Sequence, residues 1–255
     1  MAVFAVVYQI LASILQLGVQ RYAQGGGAPL LAWLSVHAAD VSAMTAAVAM
    51  TAAFALVLRM TYGEVRFTGK LSGRTDRILA AAGGILALSV FLNLFLMRSG
   101  AVAADSSAAA ASDRTRQVSL PLGILVYGVL GPLAEEVIFR GVTFHRIFRV
   151  CRERYEEKKS FLLAAGLSSL LFGLYHGNAV QGLYAAIMGF AFCLFLALGR
   201  NLAAVAVLHG AVNVMTLILA RTGVYETENG AAWMAAALGI AACCGGYVLF
   251  QRKRD

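Results

Sequence analysis

The chain alternates between long apolar runs and short polar segments, and this pattern predicts a bundle of membrane-spanning helices. A helix rises about 1.5 Å per residue, so a run of about 20 residues matches the hydrocarbon core of a bilayer. The runs are continuous, which favours helices over the alternating strands of a membrane barrel. We predict an all-α polytopic fold with about eight transmembrane helices, over residues 2–20, 39–58, 78–97, 119–141, 161–177, 179–199, 201–220 and 231–250.

The segments between these runs predict short connections. Residues 26–38 are apolar and predict a short interfacial or re-entrant piece. Residues 62–77 read as a polar loop, and residues 101–117, rich in Ala and Ser, read as a flexible loop. No basic residue precedes the first run and no clear cleavage site follows it, so we expect it to be a span and not a cleaved signal.

Composition supports a membrane protein. Of the 255 residues, 60% are hydrophobic and 13% are charged, against about 45–50% and about 25% in soluble domains. A soluble enzyme and a disordered chain are therefore excluded. The four cysteines lie in apolar segments or in a basic loop, so they do not suggest a disulfide scaffold.

The net charge of +8 is best explained by membrane topology, not by binding to nucleic acid. With eight spans and the N-terminus inside, 15 Lys and Arg residues fall on the cytoplasmic side and 5 on the other, and Arg140 is left at a span edge. Basic residues collect in cytoplasmic loops. We therefore predict a multi-pass protein of the plasma membrane with both termini in the cytoplasm and no nucleic-acid partner.

Two adjacent acids stand out in the fourth apolar run. Ionisable groups inside a bilayer cost several kcal/mol each, and Glu135 and Glu136 are the only acids well inside such a run. Glu136 and Arg140 are four residues apart and share a helix face, so they can pair. Glu135 is rotated about 100° away and must face something else. A structural anchor between helices is the alternative to a catalytic role.

Other polar residues lie on later spans. His176 ends the fifth span, and His209 and Asn213 share one face of the seventh. Taken alone, His176 suits the membrane interface, and a His–Asn pair can simply bond across helices. A polar cavity shared by the three spans explains all of these groups at once. His37 and Asp40, near the start of the second span, are also unusual.

These residues resemble the three motifs of the CPBP family. The motifs read Glu135-Glu136-x-x-x-Arg140, Phe172-x-x-x-His176 and His209-x-x-x-Asn213, in this order on separate helices. The family contains the type II CAAX prenyl endopeptidases and the bacterial Abi-type proteins linked to bacteriocin processing and immunity. The resemblance covers a core of about 119–220 within one integral membrane domain, 1–255, and residues 1–100 and 231–255 are interpreted as framework helices.

The resemblance implies an intramembrane endopeptidase. Glu135 would be the general base that activates water, and His176 would help to hold that water. His209 and Asn213 would stabilise the oxyanion, and Glu136 with Arg140 would be the supporting pair. Glu135, His176 and His209 are also a plausible zinc set with water in the fourth position, although no H-E-x-x-H sequence is present. We favour activation of water by the glutamate alone, with a divalent metal such as zinc as the alternative.

Two other functions remain open from the sequence. One is a non-catalytic membrane scaffold or bacteriocin-immunity protein of the same family, and the other is a transporter with charges along its path. Transporters more often show broken helices in two repeated halves, which are not apparent here. For the endopeptidase we expect a membrane-associated protein or peptide precursor, cleaved near the cytoplasmic side. Glu135 lies about 10 Å from an inner end at Gly141, but His176 lies about 23 Å from Ser160.

Overall fold

The computed structural model describes residues 2–61, 74–225 and 227–252, and throughout this part the chain is helical with no strand. The all-α prediction is therefore confirmed. Most of the loop predicted over 62–77 lies outside the described residues. The helices are α1 (Ala2–Gly25), α2 (Gly27–Val36), α3 (Ala38–Met60), α4 (Thr75–Arg98), α5 (Ala101–Ala104), α6 (Ser106–Gln117), α7 (Leu120–Gly123), α8 (Gly131–Glu136), α9 (His145–Arg152), α10 (Glu157–Tyr175), α11 (Ala179–Gly199), α12 (Leu202–Leu219) and α13 (Gly230–Arg252).

Six helices within the described ranges are long and apolar enough to cross a membrane. They are Ala38–Met60, Thr75–Arg98, Leu120–Arg152, Ala179–Gly199, Leu202–Leu219 and Gly230–Gln251. The first and fifth predicted spans coincide with helices α1 and α10, which are not among these six. The chain is a multi-pass membrane protein, and the count of eight stays a prediction.

The fourth span is longer than the sequence suggested. One continuous helix runs from Leu120 to Arg152 and includes α7, α8 and α9, whereas we predicted an end at residue 141. Two π-helical stretches, π1 (Ile124–Leu130) and π2 (Val137–Phe144), flank α8. Residues 137–144 are all buried, so packing against neighbouring helices sustains the helix beyond Gly141. We call Leu120–Arg152 the long helix.

The prediction of a flexible loop over residues 101–117 is wrong, because these residues form the helices α5 and α6. Asp105 caps α6 because its carboxylate accepts the backbone N–H groups of Ser107 and Ala108. These bonds, the one from Ala108 first, hold the pKa of Asp105 below its usual value. Alanine is the best helix former. With Asp105 as an N-cap, this Ala-rich segment therefore forms a helix, although its composition of Ala, Ser and scattered charges suggested a loop.

Close backbone contacts bring the site helices together. A Cβ on Gly173 of α10 would meet the carbonyl oxygen of Gly182 of α11 at 2.5 Å, and one on Gly210 of α12 would overlap the carbonyl oxygen of Gly128 in π1. Glycine is therefore required at both crossings. The second crossing fixes α12 beside the long helix, one residue after His209.

Candidate active site

The two adjacent acids lie near the middle of the long helix. Glu135 and Glu136 end the six-residue α8, between π1 and π2. Glu136 is fully buried, and the side chain of Glu135 is 11% exposed. Wide helical turns of this type concentrate at functional sites because they release backbone groups from the regular ladder. The local backbone and the burial of both carboxylates therefore mark this turn as a candidate site.

Glu136 is the centre of a buried charge cluster. Its Oε1 accepts a hydrogen bond from Arg140 Nη1 at 2.9 Å and another from His209 Nδ1 at 2.8 Å. Glu136 and Arg140 are both 0% exposed, and the predicted pairing of these two residues is confirmed. The Arg140 guanidinium also lies 4.5 Å from the ring centroid of Phe172. Two partners compensate the desolvation of Glu136, and the aromatic face adds attraction to the cation.

Room for the Arg140 side chain comes from a glycine on a neighbouring helix. A Cβ on Gly189 of α11 would lie 2.9 Å from Arg140 Nη2 and 3.1 Å from the Phe172 ring. The absent side chain lets the guanidinium fit between α11 and the long helix. Gly189 thus belongs to the architecture of the charge cluster, although the sequence motifs do not include it.

Glu135 points into a cavity instead of into the charge cluster. Its Oε2 lies 3.8 Å from His209 Nε2, and it lines a cavity of about 740 Å³. This separation exceeds direct hydrogen-bond range, and polar groups so placed are commonly bridged by water. The bond from His209 Nδ1 to Glu136 directs the opposite ring nitrogen, Nε2, towards Glu135.

His176 lines the same cavity and occupies the turn between α10 and α11. Its Nδ1 donates a hydrogen bond to the Phe172 carbonyl at 2.8 Å. In the neutral ring, Nε2 is therefore left as an acceptor. His176 thus offers a lone pair to a water or to a substrate N–H in the cavity.

Asn213 is held by a carbonyl that a proline leaves unpaired. The Asn213 Nδ2 donates to the Tyr127 carbonyl at 3.0 Å. In the π-helical pattern the partner of that carbonyl would be the N–H of residue 132, which is a proline and has none. The Asn213 amide fills this vacancy with one of its two hydrogens and keeps the other. Pro132 thus determines the orientation of a residue on another helix.

The predicted metal ligands do not form a three-residue set. Among the described residues, no group of three His, Cys, Asp or Glu side chains could hold a metal ion. Glu135 and His209 are close to each other, but His176 does not complete the set. These residues therefore do not form a complete zinc site in this arrangement, and zinc stays an alternative to activation of water by the glutamate alone.

Helix α1 adds site residues that the sequence interpretation assigned to the framework. Tyr8, Gln9 and Gln16 line the cavity, and Tyr8 lies near Glu135 together with Tyr175. The signal was available, because Gln9 and Gln16 are seven residues apart and lie on one face of an otherwise apolar helix. Polar residues in such a helix usually face the interior of the bundle.

The other two unusual polar residues have structural contacts away from Glu135. Asp40 Oδ1 accepts the backbone N–H of Ser119 at 2.6 Å and so ties α3 to the start of the long helix. His37 lies between α2 and α3 with its ring 4.5 Å from that of Trp33. Neither side chain belongs to the charge cluster.

Comparisons with known proteins match the part of the chain that carries this site. Residues 117–215 match the family model described as "Type II CAAX prenyl endopeptidase Rce1-like". The resemblance to the CPBP family is confirmed. A Bacillus subtilis (strain 168) protein named "Putative membrane peptidase YdiL" is 30% identical over 101 residues, which are 40% of this chain and 38% of that protein. The chain thus covers well under half of the relative's length. No solved structure matches.

The matched segment coincides with the site. It contains the long helix, α10, α11 and most of α12, and all seven residues named in the motifs lie inside it. Helices α1, α3 and α4 lie outside the match, yet residues of all three line the cavity. The similarity therefore covers the charge cluster and part of the cavity wall.

Proposed function

We propose that this chain is an intramembrane endopeptidase that hydrolyses a peptide bond in a membrane-associated protein or peptide precursor. The observation that carries the proposal is the position of Glu135, a carboxylate 3.8 Å from His209 Nε2 in a cavity within the bundle. The match of residues 117–215 to a family of endopeptidases supports it. A scaffold that only binds a partner has no need of a base and an imidazole that share a cavity.

In this proposal Glu135 takes a proton from a water as the water oxygen attacks the peptide carbonyl. The proton then passes to the departing amine, so the peptide bond breaks with one water consumed. The lone pair on His176 Nε2 helps to hold the water before it attacks. General-base catalysis of this kind contributes about 10²–10⁴-fold to a rate.

His209 and Asn213 would stabilise the negative charge on the tetrahedral intermediate. In the doubly protonated form that this role requires, the His209 ring donates Nδ1–H to Glu136 and presents Nε2–H to the cavity. Asn213 presents its second amide hydrogen to the same cavity. Each hydrogen-bond donor that is fixed in place before the reaction contributes about 10²–10³-fold to kcat. Glu136 fixes the His209 ring, and Arg140 keeps Glu136 in place.

The test compares peptides from membranes and medium of cells that express wild type, Glu135→Gln or Glu153→Gln at matched levels. Glu135→Gln keeps the shape of the side chain and removes the base, so we expect wild-type products to fall at least about 100-fold. Glu153 is an exposed acid in the turn after α9, and its variant should match wild type.

Full activity of folded Glu135→Gln would overturn the glutamate mechanism. Profiles for wild type and Glu135→Gln that both equal the profile of cells without the protein would favour the scaffold or immunity role. Repeating the assay on purified protein with and without a chelator tests the metal-dependent alternative directly.

A further inference from the structure

The cavity that contains Glu135 occupies one half of the bundle. Its wall takes residues from the first half of α3 (39–50), the last turns of α4 (93–97), the first two thirds of α11 (180–192) and α12 from its middle onward (209–217). These portions line one cavity, so the start of α3 lies near the end of α4, and the start of α11 lies near the end of α12, at the same end of the bundle. Helix α6 contributes Arg114 and Arg116 to the wall at this end. We call it the α6 end.

Polar contacts tie the connections at the α6 end to one another. The Arg98 Nη1 donates to the Thr227 carbonyl, and the Arg221 Nη2 donates to the carbonyls of Thr115 and Val118. Asp40 holds Ser119 in the same layer. The turn between α10 and α11, which carries His176, is also here, because helix α11, which begins directly after it, contacts α6. The α6 end is thus an ordered layer of connections at the same end of the bundle as the cavity.

The opposite end of the bundle holds most of the positive charge. Eleven basic residues of the described chain lie in the last turns or connections at this end, against five at the α6 end. The eleven are Arg59, Arg74, Arg77, Arg146, Arg149, Arg152, Arg154, Lys158, Lys159, Arg200 and Arg252, and the five are Arg21, Arg98, Arg114, Arg116 and Arg221. Basic residues in short connections are retained in the cytoplasm.

From these two observations we propose that the cavity opens on the non-cytoplasmic face of the membrane. This rests on the proposed protease function and names its substrate class: a segment of an exported or membrane-anchored polypeptide that lies at the outer face. It replaces our expectation from sequence that cleavage occurs near the cytoplasmic side.

The length of the long helix agrees with this orientation. The expected depth of Glu135, about 10 Å from an inner end at Gly141, assumed that the helix stops there. The helix continues to Arg152, which places Glu135 about 25 Å along it from the basic end. His176 lies about 28 Å along α10 from Glu157. The two residues thus lie at similar distances from the basic end.

Cysteine labelling in intact cells tests the orientation without any assay of activity. In a variant with all four native cysteines replaced, Asp113→Cys places a thiol on exposed α6 and Glu153→Cys places one at the basic end. With a membrane-impermeant maleimide, we expect Asp113→Cys to react in intact cells and Glu153→Cys to react only after permeabilisation. Size-exclusion profiles in detergent confirm that each variant is folded.

A second pair of variants tests whether the cavity itself opens on that face. Ser42 lines the cavity, whereas Met44, two residues later on α3, is exposed on the outside of the bundle and does not line it. Charged thiol reagents need a hydrated thiolate. We expect Ser42→Cys to react with a charged methanethiosulfonate added outside intact cells, and Met44→Cys to stay unlabelled because it faces lipid.

Labelling of Glu153→Cys in intact cells, or of Ser42→Cys only after permeabilisation, would overturn the proposal. Either result would leave the protease function standing, since that depends on the Glu135→Gln comparison. Conversely, loss of the protease function would leave the orientation measured by labelling unchanged. The two proposals can therefore fail separately.

Discussion

Arg140 is the largest fully buried side chain among the described residues. Its charge is compensated mainly by Glu136, and its Nε and Nη2 have no hydrogen-bond partner. The contact between the guanidinium and the Phe172 ring therefore offsets part of the free-energy cost of burying this charge. At the scale of single residues, the candidate site is thus a compensated charge cluster beside one carboxylate, Glu135, that is free to face the cavity.

Arg140→Ala should lower stability together with activity. Removal of the guanidinium leaves Glu136 buried with His209 as its remaining partner, and breaking a buried pair typically costs about 3–5 kcal/mol. We expect a clear fall in yield and in the melting temperature of protein purified in detergent. Arg149→Ala is the matched control, because Arg149 is exposed on α9. Equal melting temperatures for the two variants would contradict the role given to the pair.

The residues of the charge cluster could be identified from the sequence, but only some of the contacts between them could be predicted. The spacing of Glu136 and Arg140 predicted their pairing, because neighbours four apart on a helix face each other. The bond from His209 to Glu136 joins residues far apart in the chain, and no local spacing encodes it. The contribution of α1 depends on packing between helices for the same reason, although Gln9 and Gln16 gave a hint of it.

At the scale of helices, the site depends on interruptions of regular geometry. The stretches π1 and π2 expose carbonyls that accept bonds from other elements: Asn213 bonds to Tyr127, and Ser168 of α10 bonds to Phe139 at 2.8 Å. Hydropathy predicted the presence of the long helix but neither its end nor these irregular turns. Both depend on what packs against the helix, which the pattern of a single segment does not contain.

Pro132→Ala should separate activity from stability. The new N–H can bond within the helix to the Tyr127 carbonyl, which then no longer orients Asn213. We expect an unchanged or higher melting temperature, because alanine favours a helix interior by about 3 kcal/mol over proline, and a lower kcat. Purified variants assayed with the peptide identified from wild type give both values.

Pro121→Ala is the control for this change. Pro121 lies in the first turn of α7, where the N–H of a residue has no helical partner and proline is tolerated. Its replacement should leave kcat unchanged. If Pro132→Ala kept full activity and Asn213→Ala lost it, the orientation of Asn213 would not depend on the missing N–H.

At the scale of the whole molecule, charge is distributed unevenly between the two ends of the bundle and also within the cavity. Glu135 lies deep in the wall, while Arg114 and Arg116 of α6 lie in the wall at the α6 end. A polypeptide that reaches Glu135 from this end passes both arginines. The field of the wall therefore favours a substrate with an acidic group beyond the cleaved bond, because opposite charges in a cleft attract over several ångströms.

Arg114→Gln should raise KM and leave kcat unchanged for a substrate with an acidic residue. Arg114 is exposed, so screening limits the effect to about 1 kcal/mol, or up to about fivefold. Arg21→Gln is the matched control, because Arg21 is an exposed arginine near the same end that does not line the cavity. Each variant loses one positive charge. An equal rise in KM for both would therefore show that the attraction comes from the overall charge of that end of the bundle and not from the cavity wall. A rise confined to Arg114→Gln, which weakens when salt is added, would assign it to the cavity wall, since salt screens attraction at exposed charges.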